Sequence, residues 1–121
     1  MWGPTATQIY NDGYIQVLGS RHPALGRSAI EVWYDIWDSI GPLIQKVTET
    51  GESVFLDDTL FFVHTSEGYL HERYFTFSES PIYVGQTVGG ILNTVSETTE
   101  KIFNERQLKS LGYILTPCPI Y

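Results

Sequence analysis

The side chains best suited to chemistry in this chain are one cysteine, three histidines and two close pairs of aspartates. His22, His64 and His71 do not share the short spacing of a zinc site with another ligand. Each is therefore predicted to be a surface or hydrogen-bonding histidine. Cys118 lies in a proline-flanked segment near the C-terminus, and a single cysteine cannot form a disulfide within the chain.

The aspartate pairs are the next candidates, because two neighbouring carboxyl groups can do acid–base work. Asp57 and Asp58 are adjacent in a strand-like run, so they are expected to point to opposite faces and cannot act together. Asp35 and Asp38 are one helical turn apart and are expected on a solvated face. No Ser-His-Asp or Cys-His arrangement and no phosphate-binding loop is visible in the sequence. The chain is therefore predicted not to be an enzyme.

Length and charge limit the remaining functions. The 121 residues suffice for one domain, and the formal net charge of −7 disfavours binding to nucleic acids and to anionic membranes. The first residues lack the basic and apolar regions of a signal peptide, and no apolar run is long enough to span a bilayer. These features predict a cytoplasmic domain.

The first half of the chain has the spacing of short helices. A short strand is predicted over 7–10, a helical turn over 14–18 and a longer helix from Ser28. The apolar residues of that longer helix recur at spacings of three and four: Ile30, Trp33, Trp37 and Ile40. Gly41-Pro42 is expected to break it, so that a new helix runs from Pro42 to Thr50.

The second half changes to a period of two, which is typical of strands. Strands are predicted over 54–63, 69–82 and 87–95, joined by glycine-containing turns, and together they form an antiparallel meander. Gly89-Gly90 indicates a close backbone approach or a bulge. A charged helix is predicted over about 97–111, followed by a short tail over 112–121. This order predicts one α+β domain over 1–111, with the helices on one face of the sheet.

Several local motifs, taken in order, resemble a PAS domain of the kind found in bacterial and fungal hybrid histidine kinases. The first half offers Asn11, Gly19 and the pair Gly26-Arg27 at the family's positions, and the second half offers Ser80-Pro81-Ile82. The segment Glu97–Lys101 is similar to the Asp-Ile-Thr-Glu-Arg run that ends the last strand of the family. The resemblance covers about residues 7–111.

The resemblance implies a five-stranded antiparallel sheet in the order 2-1-5-4-3, with short helices on one face and a C-terminal output helix. The first strand would be abbreviated, over 2–5, or missing. It also implies a sensory module of a two-component system. In such a module Glu97, Thr98, Thr99 and Glu100 would relay ligand or partner binding to the output helix.

The family's cofactors make demands that can be compared with these residues. The helix predicted over 42–50 contains no His, Cys or Met, which disfavours haem. Cys118 lies beyond the output helix, which disfavours a covalent flavin. A noncovalent flavin or another small organic ligand stays open, and so does a module without any ligand. No metal site is predicted.

A candidate pocket for such a ligand lies between the sheet and the helices. Its predicted residues are Trp33, Trp37, Phe75, Phe77, Leu92 and Thr94. Aromatic residues can line a cavity, but they can equally fill a core, so both interpretations stay open. The expected partners are a second copy of the chain, an effector kinase and a small molecule. The alternative function is a ligand-free dimerisation domain.

Overall fold

Three long strands form the centre of the fold in the computed structural model, which describes residues 1–110. Strand β1 spans Val54–His64, β2 spans Leu70–Val84 and β3 spans Thr87–Glu97. They pair antiparallel in the order β1-β2-β3. Gly68 and Gly85 have positive φ in the two connecting turns, a conformation that glycine adopts without a steric penalty. The predicted meander and the α+β class are confirmed.

The five-stranded sheet implied by the resemblance is wrong, because the sheet of residues 1–110 has three strands. The N-terminal segment contributes isolated bridges instead, from Trp2 to Thr7 and to Gly90, and from Thr7 to Ser28. The segment turns between Trp2 and Thr7, where Ala6 has a positive φ of 51°. It reverses direction too soon to build a ladder on either side.

Four α-helices and two 3-10 turns complete the described chain. The α-helices are α1 (Ile15–Leu18), α2 (Ala29–Val32), α3 (Trp37–Thr50) and α4 (Thr99–Ser110), and the 3-10 turns span Asp12–Tyr14 and Gly19–Arg21. The Ser28 hydroxyl caps α2 by accepting a hydrogen bond from the Ile30 N–H. Within residues 1–110, no helix has the length and apolar content needed to cross a membrane.

The predicted helix break at Gly41-Pro42 is wrong, because α3 runs from Trp37 through Pro42 to Thr50. The break lies earlier, in the turns between Val32 and Trp37. Asp35 lies in this interval, and its carboxylate accepts hydrogen bonds from Arg21 and from the His64 N–H. These bonds hold the chain in a turn where the apolar spacing alone predicts a continuous helix.

The sheet has an inner face towards α1–α3 and an outer face towards α4. Phe75 and Phe77 point inwards and join the buried core with residues such as Leu18 and Val32. Tyr74, one position away, points outwards, and its ring meets that of Phe103 in α4 edge-to-face at 6.4 Å. The expectation that the helices share one face therefore holds for α1–α3 and is wrong for α4.

Candidate functional site

Three of the predicted pocket residues lie together in the core. Trp33, Phe75 and Phe77 are each about 5% exposed or less. The ring of Phe61 lies 5.9 Å from that of Phe75 and 5.8 Å from that of Phe77. This packing fits the interpretation that these aromatic side chains fill space between the sheet and the helices.

The other three predicted pocket residues lie elsewhere. Leu92 and Thr94 are on the outer face of β3, because they pair with Ser80 and Ser78 and alternate with the inward residues. Trp37 is half-buried and lines a surface cleft. The structure therefore does not bring the six residues into one pocket. The prediction fails because Leu92 and Thr94 lie on the opposite face of the sheet from Phe75 and Phe77.

The cleft beside Trp37 lies between α3 and the start of β3, and we call it the α3–β3 cleft. Its volume is about 450 Å³. Ile44 and Thr48 of α3 line one side, and Gly89 and Ile91 of β3 line the other. Apolar side chains with a few polar groups at the margin are typical of sites for small organic molecules.

A second depression, which we call the edge groove, runs along the side of β3 that faces away from β2. It has a volume of about 650 Å³. Residues Ile91–Val95 line its β3 side, and Gln8, Tyr10 and Tyr14 lie among the residues opposite. The Tyr14 hydroxyl is fixed by a 3.0 Å hydrogen bond from Trp33 Nε1. The core and the groove therefore share this tyrosine.

Buried polar atoms without hydrogen-bond partners lie close to the edge groove. In the described part of the chain these include both carboxyl oxygens of Glu79, Oδ1 of Asn93 and Nε2 of Gln8. Glu79 is fully buried in β2 and pairs directly with Asn93 in β3. Burial raises the pKa of the Glu79 carboxyl to about 7. Sequence reasoning missed Glu79, although a glutamate on the inward side of a strand, in line with Phe75 and Phe77, is the signal that could have revealed it.

The predicted relay residues lie where β3 passes into α4. Glu97 receives two hydrogen bonds from the Arg73 guanidinium, at 2.7 and 3.1 Å, and these lower its pKa. The Thr98 N–H donates to the Tyr74 carbonyl at 2.7 Å. The Thr99 hydroxyl accepts from the Tyr74 N–H at 2.9 Å and donates to Glu97 at 2.7 Å. Glu100 is exposed in the first turn of α4.

Further contacts hold α4 on the outer face. Lys101 Nζ lies 3.1 Å from Asp58 Oδ2, and the Arg106 guanidinium lies 2.9 Å from the Glu72 carboxylate. Arg106 also donates a short hydrogen bond to the Tyr74 hydroxyl. No side chain of α4 is buried, so the helix is held by its first turn and by these surface contacts.

The prediction that Asp57 and Asp58 point to opposite faces is wrong. Both lie in a β-bulge, where the register shifts between Leu56 and Thr59 and Asp58 has a positive φ of 43°. The Thr76 hydroxyl donates to Asp57 Oδ1 at 2.7 Å, and the Asp58 N–H donates to the same hydroxyl at 3.0 Å. A bulge places two residues opposite one, so the alternation of the strand fails here.

The prediction that Asp35 lies on a solvated face is also wrong, because its side chain is only 1% exposed. The Arg21 guanidinium donates to both carboxylate oxygens, at 2.7 and 2.6 Å. His64 Nδ1 lies 3.5 Å from Oδ2, and the His64 ring stacks on Tyr34. Burial alone would raise the Asp35 pKa. The hydrogen bonds from the Arg21 side chain and from the backbone N–H of His64 outweigh this effect and lower the pKa to about 2.

Two further predictions concern histidine and cysteine. The ring of His22 hydrogen-bonds to the Tyr10 hydroxyl at 3.1 Å, at the margin of the edge groove. Among residues 1–110, no group of three or more His, Cys, Asp and Glu side chains is placed to hold a metal ion. Leu111, the tail over 112–121 and Cys118 lie outside the described residues.

Comparison with known proteins adds no assignment, since the sequence matches no family model and no curated protein. The function of the chain is therefore inferred from the geometry described above.

Proposed function

We propose that the chain is a sensory or regulatory module of the PAS type, acting in a two-component, histidine kinase-type system in the cytoplasm. It binds a small organic ligand noncovalently and passes the change to its C-terminal helix. It is not itself an enzyme. Its partners are a second copy of the chain and an effector kinase domain.

One observation carries this proposal: β3 lines both the α3–β3 cleft and the edge groove and then continues directly into α4. Ile91 lines the α3–β3 cleft as well as the edge groove, and the relay residues follow six positions later. A ligand that shifts β3 would therefore also shift Glu97 and Thr99, which hold the first turn of α4. Ligand binding biases such a two-state contact only by its differential affinity for the two positions.

The relay can be tested at Thr99. Thr99→Val removes the acceptor of the Tyr74 N–H and the donor to Glu97, so the first turn of α4 loses two of the hydrogen bonds that join it to β2 and β3. We expect amide hydrogen exchange across α4 to rise about tenfold while exchange in β1 stays unchanged. Thr87→Val is the matched control, because the exposed Thr87 hydroxyl donates only within the turn between β2 and β3, to the Val84 carbonyl. Unchanged exchange in α4 of the Thr99 variant would count against a relay through this junction.

The ligand is sought by native mass spectrometry and absorption spectroscopy of the purified protein. A retained small molecule, once identified, should alter hydrogen exchange in α4 of the wild type but not of Thr99→Val. A bound ligand that alters hydrogen exchange in α4 of neither protein would show binding without a signal in α4 and would contradict the proposal.

The second candidate is a ligand-free dimerisation domain, favoured by apolar side chains exposed on the outer face. Phe62 and Leu70 are 55% and 61% exposed there, beside the partly exposed Leu60 and Phe103. Contiguous apolar surface of this kind is typical of protein contacts. A dimer that contains no ligand, in which no small organic compound alters the exchange of α4, would favour this function.

A further inference from the structure

The side of β3 that faces the edge groove is the strand edge away from β2, and the N-terminal residues pair with its first part. The Ile91 N–H donates to the Met1 carbonyl at 2.8 Å, and the Met1 amino group donates to the Ile91 carbonyl at 2.9 Å. The Gly3 N–H donates to the Gly89 carbonyl at 3.0 Å. Gly90 permits this approach, since a Cβ there would lie 2.9 Å from the Met1 carbonyl oxygen and would overlap the Trp2 ring. The edge thus accepts an antiparallel segment.

Beyond Ile91, no strand formed by residues 1–110 lies beside the same edge. Main-chain groups of an antiparallel strand alternate in direction, so those of Asn93 and Val95 point the same way as those of Ile91. Within residues 1–110, no backbone or side-chain hydrogen bond joins the N–H or C=O of Asn93 or Val95 to a segment on this side. Unpaired edge groups of this kind are a template for another strand.

The edge groove has the polarity of a peptide site. Its lining contains no charged side chain, the Met1 amino group is paired with the Ile91 carbonyl at one end, and Tyr10, Tyr14 and Leu92 supply apolar surface. Gln8 is 4% exposed, and its Nε2 donor has no partner in the described part of the chain. A buried donor without a partner is costly, and a carbonyl oxygen brought into the groove would relieve that cost.

We propose that the edge groove binds an extended, uncharged peptide segment of a partner protein, which adds to the sheet antiparallel to β3 opposite Leu92–Val95. A peptide fits better than a small molecule, because the unpaired groups of Asn93 and Val95 recur about 7 Å apart, the two-residue repeat of a strand. A second copy of this chain is a poorer occupant, since the exposed apolar side chains suited to self-association, Phe62 and Leu70, lie on the outer face and not in this groove. This inference goes beyond ligand sensing and does not depend on it.

The test uses an acetylated and amidated heptapeptide of alternating valine and threonine as the probe. We expect saturable binding that is insensitive to salt, with hydrogen exchange at the Asn93 and Val95 amides slowed about tenfold. The control peptide is N-methylated at the alternate residues that would face β3, which removes their donors. It should bind about tenfold more weakly or not at all.

A variant of the protein tests the same contact from the other side. Val95→Pro removes an N–H that points to the open edge and leaves the hydrogen bonds to β2, because proline is tolerated on strand edges. We expect it to lose peptide binding, whereas Val95→Thr, which keeps the N–H, should bind as the wild type does.

Three results would overturn the proposal. The first is no binding of the probe, and the second is equal binding of the methylated probe or of Val95→Pro. The third is dimerisation of the wild type alone that Val95→Pro abolishes, which would make a second copy the occupant. Should Val95→Pro fail to fold, the two peptides on the wild-type protein decide the question.

Discussion

Replacement of Asp35 by alanine is expected to lower the free energy of unfolding by about 3 kcal/mol or more. Arg21 would keep its charge at 14% side-chain exposure but would lose both carboxylate bonds. The His64 N–H would lose its acceptor as well, so the turn between α2 and α3 and the end of β1 would separate. Denaturant unfolding followed by circular dichroism measures the loss.

Asp38→Ala is the matched control, because Asp38 is an exposed aspartate three positions away. It should change stability by less than about 0.5 kcal/mol. The low pKa of Asp35 also predicts a pH dependence. Since the folded pKa of about 2 lies below the usual 3.8, the stabilisation is complete above pH 3.8 and declines as the pH falls towards 2. An Asp35→Ala protein as stable as Asp38→Ala would refute the role of this ion pair.

Glu79→Gln is expected to stabilise the protein at pH 8, by about 2 kcal/mol. At that pH the Glu79 carboxyl is charged, buried and without a partner in the described part of the chain. The glutamine amide is neutral and can donate to the unpaired Oδ1 of Asn93 on the neighbouring strand. Thermal and denaturant unfolding at pH 5 and pH 8 would measure the gain.

The sign of the pH effect follows from the raised pKa. The folded protein holds the Glu79 proton up to about pH 7, whereas the unfolded chain releases it near 4.5. Stability should therefore fall as the pH rises from about 4.5 to about 7, and Glu79→Gln should remove that slope. The control Glu52→Gln changes an exposed glutamate and should leave the slope intact. A wild-type protein whose stability does not fall over this range would contradict the assignment.

The periodicity of the sequence predicted the bounds of the three strands well, because strand periodicity and turn residues act locally. The three predicted strands lie within two residues of β1–β3, and the helix predicted over about 97–111 corresponds to α4. The close approach predicted at Gly89-Gly90 is present, between Gly90 and the first two residues. The PAS resemblance itself stays a prediction.

Most of the errors involve contacts between distant residues. The partners of Asp35 are Arg21 and His64, which lie 14 and 29 positions away in sequence, and no local pattern indicates them. The inward or outward direction of Leu92 depends on which face of β3 meets the core, and this is decided by the register with β2. Residues 2–5 do not form the first strand of the expected sheet, because the chain turns between Trp2 and Thr7.

The bulge at Asp57 and Asp58 interrupts the inward–outward alternation of side chains in β1. Leu56 and Phe61 both contact the core, although they are an odd number of residues apart and would face opposite sides of a regular strand. The bulge takes up one extra residue and places the Asp58 carboxylate within reach of Lys101 in α4. Deletion of Asp58 would therefore leave Leu56 and Phe61 four residues apart, on the same face of a regular strand, and would remove a link between the first strand and the last helix.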